Sequence, residues 1–303
     1  MKTCWSLALA AALLPWMACL DFESQSLTYR YFAASDVMVI FQNYEGVHGT
    51  SQADGLDATE RDQLASVFEG PRTFFFSNWI LEYNAPQVRQ RLAELRNDAQ
   101  SAPEVRKATM ALLELLLENV TIQSGPFYLN ADGKTSGIQR VTVRRFAKIL
   151  AAANAALRAE LLARPAKDGE DVFQQGLRRH ARAHADFIIQ KGQRIEAHLP
   201  AGWDTIWVTL HGEDSSILKA VPKMLEGGFE FALRHNQLVL AAGAVEGNAT
   251  TLRMTNAEGK YRPNAAGYLE EKHGLKRTFD VARAQREFFE ESSRQFGKAP
   301  SKP

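Results

Sequence analysis

The sequence predicts an α+β protein in which antiparallel sheets and segregated helices share the chain and no disulfides are formed. Strand-patterned and helix-patterned segments come in blocks rather than in strict alternation, the arrangement of α+β chains. Both cysteines, Cys4 and Cys19, lie in the first 19 residues, so everything after Cys19 must rest on its hydrophobic core. With 303 residues, 45% of them hydrophobic and 23% charged, the chain has the material for one large domain or two smaller ones.

Residues 24–45 alternate aromatic or β-branched positions with polar ones on either side of Ala33-Ala34-Ser35-Asp36, which predicts a β-hairpin closed by a loop of four residues. Asp57-Ala58-Thr59-Glu60 is a capping box opening a helix with Leu64, Val67 and Phe68 on one face, stopped by Gly70-Pro71. Asn84 can cap a second helix with Val88, Leu92 and Leu95 inward, and Ser101-Ala102-Pro103-Glu104 opens a third that runs to about Glu118. Between the first two, "TFFFSNWILEY" (73–83) is too apolar to be exposed. "VTIQSGPFYL" and "GIQRVTV" read as strands around a polar turn, and Phe146, Ile149, Leu150, Ala153, Leu157 and Leu161 mark a long helix ending before Pro165.

In the second half, a helix is expected from about Asp171 to Lys191, followed by strands near 194–199, 203–210, 229–234, 237–243 and 250–255 in one antiparallel sheet, with Arg234-His235-Asn236 as a hairpin turn. Helices near 264–272 and 279–292 close the chain. The division this predicts is a signal peptide at 1–18, an N-terminal α+β region at 19–164, a short linker at 165–170, a C-terminal α+β region at 171–296 and a frayed tail at 297–303.

Met1-Lys2-Thr3 is a minimal positive leader, and the 17 residues from Cys4 to Leu20 carry no charge and are rich in Leu and Ala, the pattern of a secretory signal. Pro15 interrupts the run, and Asp21 and Glu23 follow it instead of a basic stop-transfer cluster, so an uncleaved anchor is the second choice. Trp16-Met17-Ala18-Cys19 resembles a degenerate bacterial lipobox, with Ala18 fitting the position before the cut and Trp16 and Met17 standing where Leu and a small residue are usual. The resemblance covers four residues. It implies diacylglyceryl attachment at Cys19 and a membrane-anchored lipoprotein of the cell envelope; a secreted or periplasmic soluble protein is the alternative. If Cys4 leaves with the leader, Cys19 has no disulfide partner, and acylation gives the lone thiol a role.

Candidate chemistry is sparse. "LNADGKTSG" (129–137) aligns Asn130, Asp132 and Gly133 with a calcium loop, but Tyr128 and Gln139 occupy the positions of its first carboxylate and its bidentate Glu, so an Asp-Gly hairpin turn is the physical reading. His180 and His184 stand one helical turn apart, a spacing that can share a transition metal such as zinc, on the stripe formed by Phe173, Leu177, Phe187 and Ile188. The competing reading is a pair of hydrogen-bonded histidines at a seam between helix and sheet. In "LHGEDSS" (210–216), His211, Glu213 and Asp214 sit between a strand and a helix, where they are weak catalytic candidates; the plainer role is capping by Asp214 or Ser215.

The net charge is +1, and no basic stretch interleaved with aromatics occurs, which argues against a nucleic-acid partner. No dinucleotide or P-loop fingerprint is present, and no cofactor is called for. Residues 21–100 carry 6 Arg/Lys against 12 Asp/Glu and residues 140–198 carry 12 against 6, read as two complementary surfaces or solvated helix faces rather than an anion-binding surface. The expectation is an exported, lipid-anchored envelope protein acting as a binding or structural module. The other class is an envelope hydrolase, metal-dependent through His180 and His184 or built on His211 with Glu213 or Asp214. The address is tested by metabolic labelling with a palmitate analogue: wild type is expected to take up label and Cys19→Ser to lose it, and equal absence of label from both sinks the lipoprotein reading.

Overall fold

The computed structural model describes residues 20–51, 54–75, 81–163, 172–200, 225–226, 229–234, 237–255 and 260–297. The α+β class holds: among the described residues, α-helices pack on antiparallel sheets. The centre of the fold is the expected hairpin, β2 (Ser24–Phe32) and β3 (Val37–Glu45), joined by the four residues 33–36. β3 pairs without a break to β2 on one side and to β8 (Thr135–Arg144) on the other, and its first eight residues are buried. A strand buried on both faces loses the usual apolar and polar alternation, which is why "VMVIF" is continuous.

Before this hairpin, β1 (Leu20–Asp21) pairs with β4 (His48–Gly49), which follows it. α1 (Ala58–Phe68) opens on the capping box, with Asp57 accepting from the Glu60 amide and Glu60 from the Asp57 amide. The Glu60 carboxylate is fully buried and also accepts from the Ser51 amide and hydroxyl, so the cap ties down the loop that precedes the helix. The described ends of the 73–83 stretch form an antiparallel pair, β5 (Arg72–Phe75) with β6 (Leu81–Asn84), an element that bulk hydrophobicity alone did not specify; residues 76–80 lie outside the described residues. α2 (Ala85–Asn97) is capped by Asn84 and buries Val88, Leu92 and Leu95, as its spacing predicts. α3 (Pro103–Asn119) leads directly into β7 (Val120–Leu129), which returns as β8. In the turn between them the Asn130 carbonyl oxygen of the side chain accepts from the Asp132 and Lys134 amides, and Gly133 has a φ of +71°, the geometry of a hairpin turn.

α4 (Phe146–Ala163) is capped at long range. Asp36, in the loop of the central hairpin, accepts from the Phe146 amide through its carbonyl and from the Ala147 amide through its carboxylate. The candidate linker at 165–170 lies outside the described residues. α5 spans Val172–Arg182 and stops well short of Lys191: His184 takes a φ of +53° and the chain enters β9 (Ile188–Lys191). β10 (Arg194–Leu199), β12 (Phe229–Arg234) and β13 (Gln237–Ala242) complete a four-stranded sheet in the order β12-β13-β10-β9. The strand expected at 203–210 and the turn residues 235–236 lie outside the described residues, although Arg234 and Gln237 pair across that turn.

β14 (Thr250–Thr255) corrects the expected sheet. Instead of joining the second sheet it pairs with β2, and with β11 (Leu225–Glu226) it completes a six-stranded sheet in the order β11-β14-β2-β3-β8-β7. Chain from either side of the candidate linker thus shares one sheet. A 3-10 turn (Pro263–Ala265) and α6 (Ala266–His273) pack beside α1, and α7 (Val281–Phe296) covers the face of β3 that carries Val37, Val39 and Phe41, through Ala284, Phe288 and Phe296. The opposite face is covered by α3 and α4 around Met38 and Ile40, and by α1 and the β5–β6 hairpin around Tyr44.

The four-stranded sheet is docked on the six-stranded one by a small set of contacts. The Tyr29 hydroxyl lies 2.8 Å from the carbonyls of both Gln193 and Ala242, and the Gln193 amide pairs with the backbone of Tyr31 in both directions. Gly243, at a φ of +83°, completes the contact: a Cβ there would stand 2.5 Å from the Tyr29 hydroxyl and 2.6 Å from Thr250 Oγ1. Gly133 has a similar φ but open space around its Cβ position. Gly243→Ala is therefore expected to destabilise the protein by at least about 2 kcal/mol and Gly133→Ala by only about 1 kcal/mol, read as shifts of the urea midpoint. Equal shifts would show that the junction tolerates a side chain.

Candidate functional site

Between the two sheets the protein leaves a cavity of about 510 Å³. Its floor is the six-stranded sheet, through Leu27 and Tyr29 of β2, Met38 and Ile40 of β3, Val143 of β8 and Leu252 of β14. α3 supplies Leu112, Leu113 and Leu116, and the first turn of α4 supplies Phe146 and Ile149. The far wall is the second sheet, with Ile195 and Ala197 of β10, Phe229 of β12 and Leu240 and Ala242 of β13. Polar side chains gather at one end, where α2 meets α3: Glu82, Gln87, Arg91 and Thr109.

The space exists because the facing residues do not fill it. Ala197 and Ala242 face the long side chains of β2 and β3 across the gap, and the junction at Tyr29 keeps the second sheet from moving closer. The polar atoms within the wall are already engaged: Tyr29 as described, and Tyr83 through its hydroxyl to the Leu116 carbonyl at 3.4 Å. Burial pushes both phenols up from their ordinary value, so each stays neutral at physiological pH. Glu82, at the rim, is held by Arg72 in a two-pronged pair at 2.7 and 3.1 Å. A cavity of this volume and lining is suited to holding hydrocarbon, and among the described residues that line it none is a histidine, cysteine or serine.

The histidines weighed from sequence are placed otherwise. His180 is buried on α5, its ring 4.5 Å from that of Phe187 and its Nε2 3.2 Å from the Asp186 carbonyl, to which it donates. His184 lies beyond the helix end and is exposed, so the two do not share the apolar stripe that an uninterrupted helix would give them. No group of three or more His, Cys, Asp or Glu side chains arranged to hold a metal occurs among the described residues. His211, Glu213, Asp214 and Cys19 lie outside the described residues.

A charged cluster that sequence inspection did not single out stands on the other side of β10. Glu196 alternates with the cavity-facing Ile195 and Ala197, is 5% exposed, and accepts from Arg194 at 2.8 Å, Lys191 at 3.0 Å and His198 at 3.0 Å. Arg194 also pairs with Glu230 at 2.8 Å. The signal available in the sequence is "KGQRIEAH", three basic side chains within five residues of one glutamate, but it becomes legible only with the β9–β10 pairing in hand.

No protein-family model, curated protein or solved structure matches the chain.

Burial alone would raise the Glu196 carboxyl, but the hydrogen bonds from Arg194, His198 and Lys191 outweigh it and bring the carboxyl from 4.5 to about 2. A carboxylate depressed in the folded state stabilises the fold above its unfolded value and loses that contribution as pH falls, here between 4.5 and about 2. The size is at most about 3 kcal/mol, because Lys191 is half exposed and its share is screened by solvent. Glu196→Gln is expected to destabilise the protein at pH 7, with the gap to wild type narrowing below pH 4.5 in urea titrations. A gap independent of pH would show that the cluster does not stabilise the ionised carboxylate.

Proposed function

We propose that this protein is an exported binding module of a bacterial envelope, tethered through Cys19, that holds one apolar ligand in the cavity between its sheets. The observation that carries the reading is the cavity: about 510 Å³ walled mainly by aliphatic and aromatic side chains, with its charged side chains at one end. Such a space forfeits dispersion contacts on every side and is stable only because the surrounding elements are fixed, so a ligand of matching shape recovers what the empty fold lacks.

The tether supports the same reading. Leu20 follows Cys19 directly and already packs in the cluster formed with Phe22, Tyr44 and Leu64. An acyl group on Cys19 would therefore hold the folded body close to the membrane surface, without an intervening linker, where apolar ligands are concentrated. Among the described residues no helix is long and apolar enough to cross a membrane.

The test uses the full chain carrying Cys19→Ser, which removes the acylation site, and the neutral fluorophore N-phenyl-1-naphthylamine. One equivalent is expected to bind with enhanced fluorescence. Leu112→Phe, which takes up part of the cavity, is expected to weaken that binding while raising the thermal midpoint, an effect of about 0.5–2 kcal/mol for improved filling. Absence of binding by the parent chain, or undiminished binding by Leu112→Phe, overturns the reading.

A further inference from the structure

We infer that the ligand of this cavity is a single unbranched hydrocarbon chain with a carboxylate head, a fatty acid, whose head lies at Arg91 and whose tail runs between the sheets. The inference rests on the binding-module reading and adds the chemical class of the ligand.

The shape of the cavity selects the tail. Leu252, Leu27, Met38, Val143 and Val120 come from five successive strands, β14, β2, β3, β8 and β7, so the slot runs obliquely across the sheet. Four strand spacings make it at least about 19 Å long. A slot of that length and apolar lining has room for an extended hydrocarbon chain. The length compares with the ~15 Å spanned by acyl chains in one leaflet of a bilayer. The hydroxyls of Tyr29 and Tyr83 are committed to backbone carbonyls, so a polar group placed midway along the tail would be desolvated without a new partner.

The polar end selects the head. Phe229, Ile195 and Leu252 line the part under β10 and β12, and the side chains that can meet a polar group stand where α2 crosses α3. There Glu82 is neutralised by Arg72, and Gln87 and Thr109 are neutral. Arg91 is the charge that can be recruited: its pair with Glu94 at 3.0 Å uses one guanidinium nitrogen, and both side chains are nearly half exposed, 46% and 48%. Exposed pairs of this kind contribute little, so turning toward a ligand costs Arg91 little, and its planar fork matches a carboxylate. The rest of α2 agrees in sign, with Arg89, Arg91 and Arg96 against Glu94 as its ionised side chains.

The experiment measures displacement of N-phenyl-1-naphthylamine from the full Cys19→Ser chain by tetradecanoate, dodecanoate, tetradecanol and a tetradecanoyl lysophosphatidylglycerol. Each methylene buried adds about 0.8 kcal/mol, so tetradecanoate is expected to bind about 14-fold tighter than dodecanoate. It is expected to bind about five-fold tighter than tetradecanol, and Arg91→Gln to remove most of that difference by weakening the acid far more than the alcohol. Equal affinity for acid and alcohol, or equal loss of both in Arg91→Gln, overturns the assignment of the head while tetradecanol binding still upholds the cavity. Tighter binding of the lysophospholipid than of tetradecanoate overturns the carboxylate in favour of a phosphate-headed chain. Failure of the fluorophore and of every chain to bind defeats the binding-module reading itself.

Discussion

The architecture depends on the place where the two sheets meet. A four-stranded sheet beside a six-stranded one would ordinarily settle onto it until side chains interdigitate, because interiors close-pack and voids forfeit dispersion energy. Here the approach is stopped by a specific polar contact. Tyr29, reaching up from β2, meets the carbonyls of Gln193 and Ala242, and the Gln193 amide mimics a strand partner for Tyr31. These bonds have fixed lengths, so the second sheet is held at the height of a tyrosine side chain at one end. α3 and α4 prop the assembly at the other, and the cavity is what remains between those supports.

A second polar layer divides the same face of the sheet. Gln25, Gln42 and Gln139 point from adjacent strands toward the β5–β6 hairpin, and their amides bond to one another, to Tyr44 and Thr73, and to the carbonyls of Val67, Arg72 and Phe74. Buried polar networks of this kind are costly when incomplete and specific when complete. With the Arg72–Glu82 pair that links its two strands, this network fixes the register of the hairpin. It also separates two apolar clusters that share a sheet face, one around Tyr44 and α1 and one around Met38 and α3.

What the sequence made legible follows the range of the interactions. The hairpin at 24–45, the capping box at Asp57 and the Asn84 cap are encoded within a few residues each and read correctly from them. The end of α5 was hidden because it turns on His184 adopting a left-handed conformation, with no Gly or Pro to announce it. The pairing of β14 with β2 links positions more than 200 residues apart, and its alternating pattern is equally consistent with either sheet. The cap that Asp36 places on α4 is invisible for the same reason. The cavity was the least legible feature, since it is defined by side chains that are too small to fill a gap, and an alanine such as Ala197 or Ala242 carries no local sign of what it faces.

The two halves of the proposed function meet on one strand. On β3, Met38 and Ile40 face the cavity, Gln42 belongs to the polar layer, and Tyr44 belongs to the cluster that receives Leu20. Ile40 and Tyr44 are about 14 Å apart along the strand. A path along this face from the cluster that holds Leu20 to the slot crosses the Gln25, Gln42 and Gln139 layer, and opening it would leave buried amides unpaired at about 1–3 kcal/mol each. For the proposed acyl anchor that cost would favour the membrane over the slot, whose polar side chains stand on the side of α2 and α3. Were Cys19 acylated as proposed, the polar layer would do more than fix a hairpin, because it would keep the anchor's chains out of the slot.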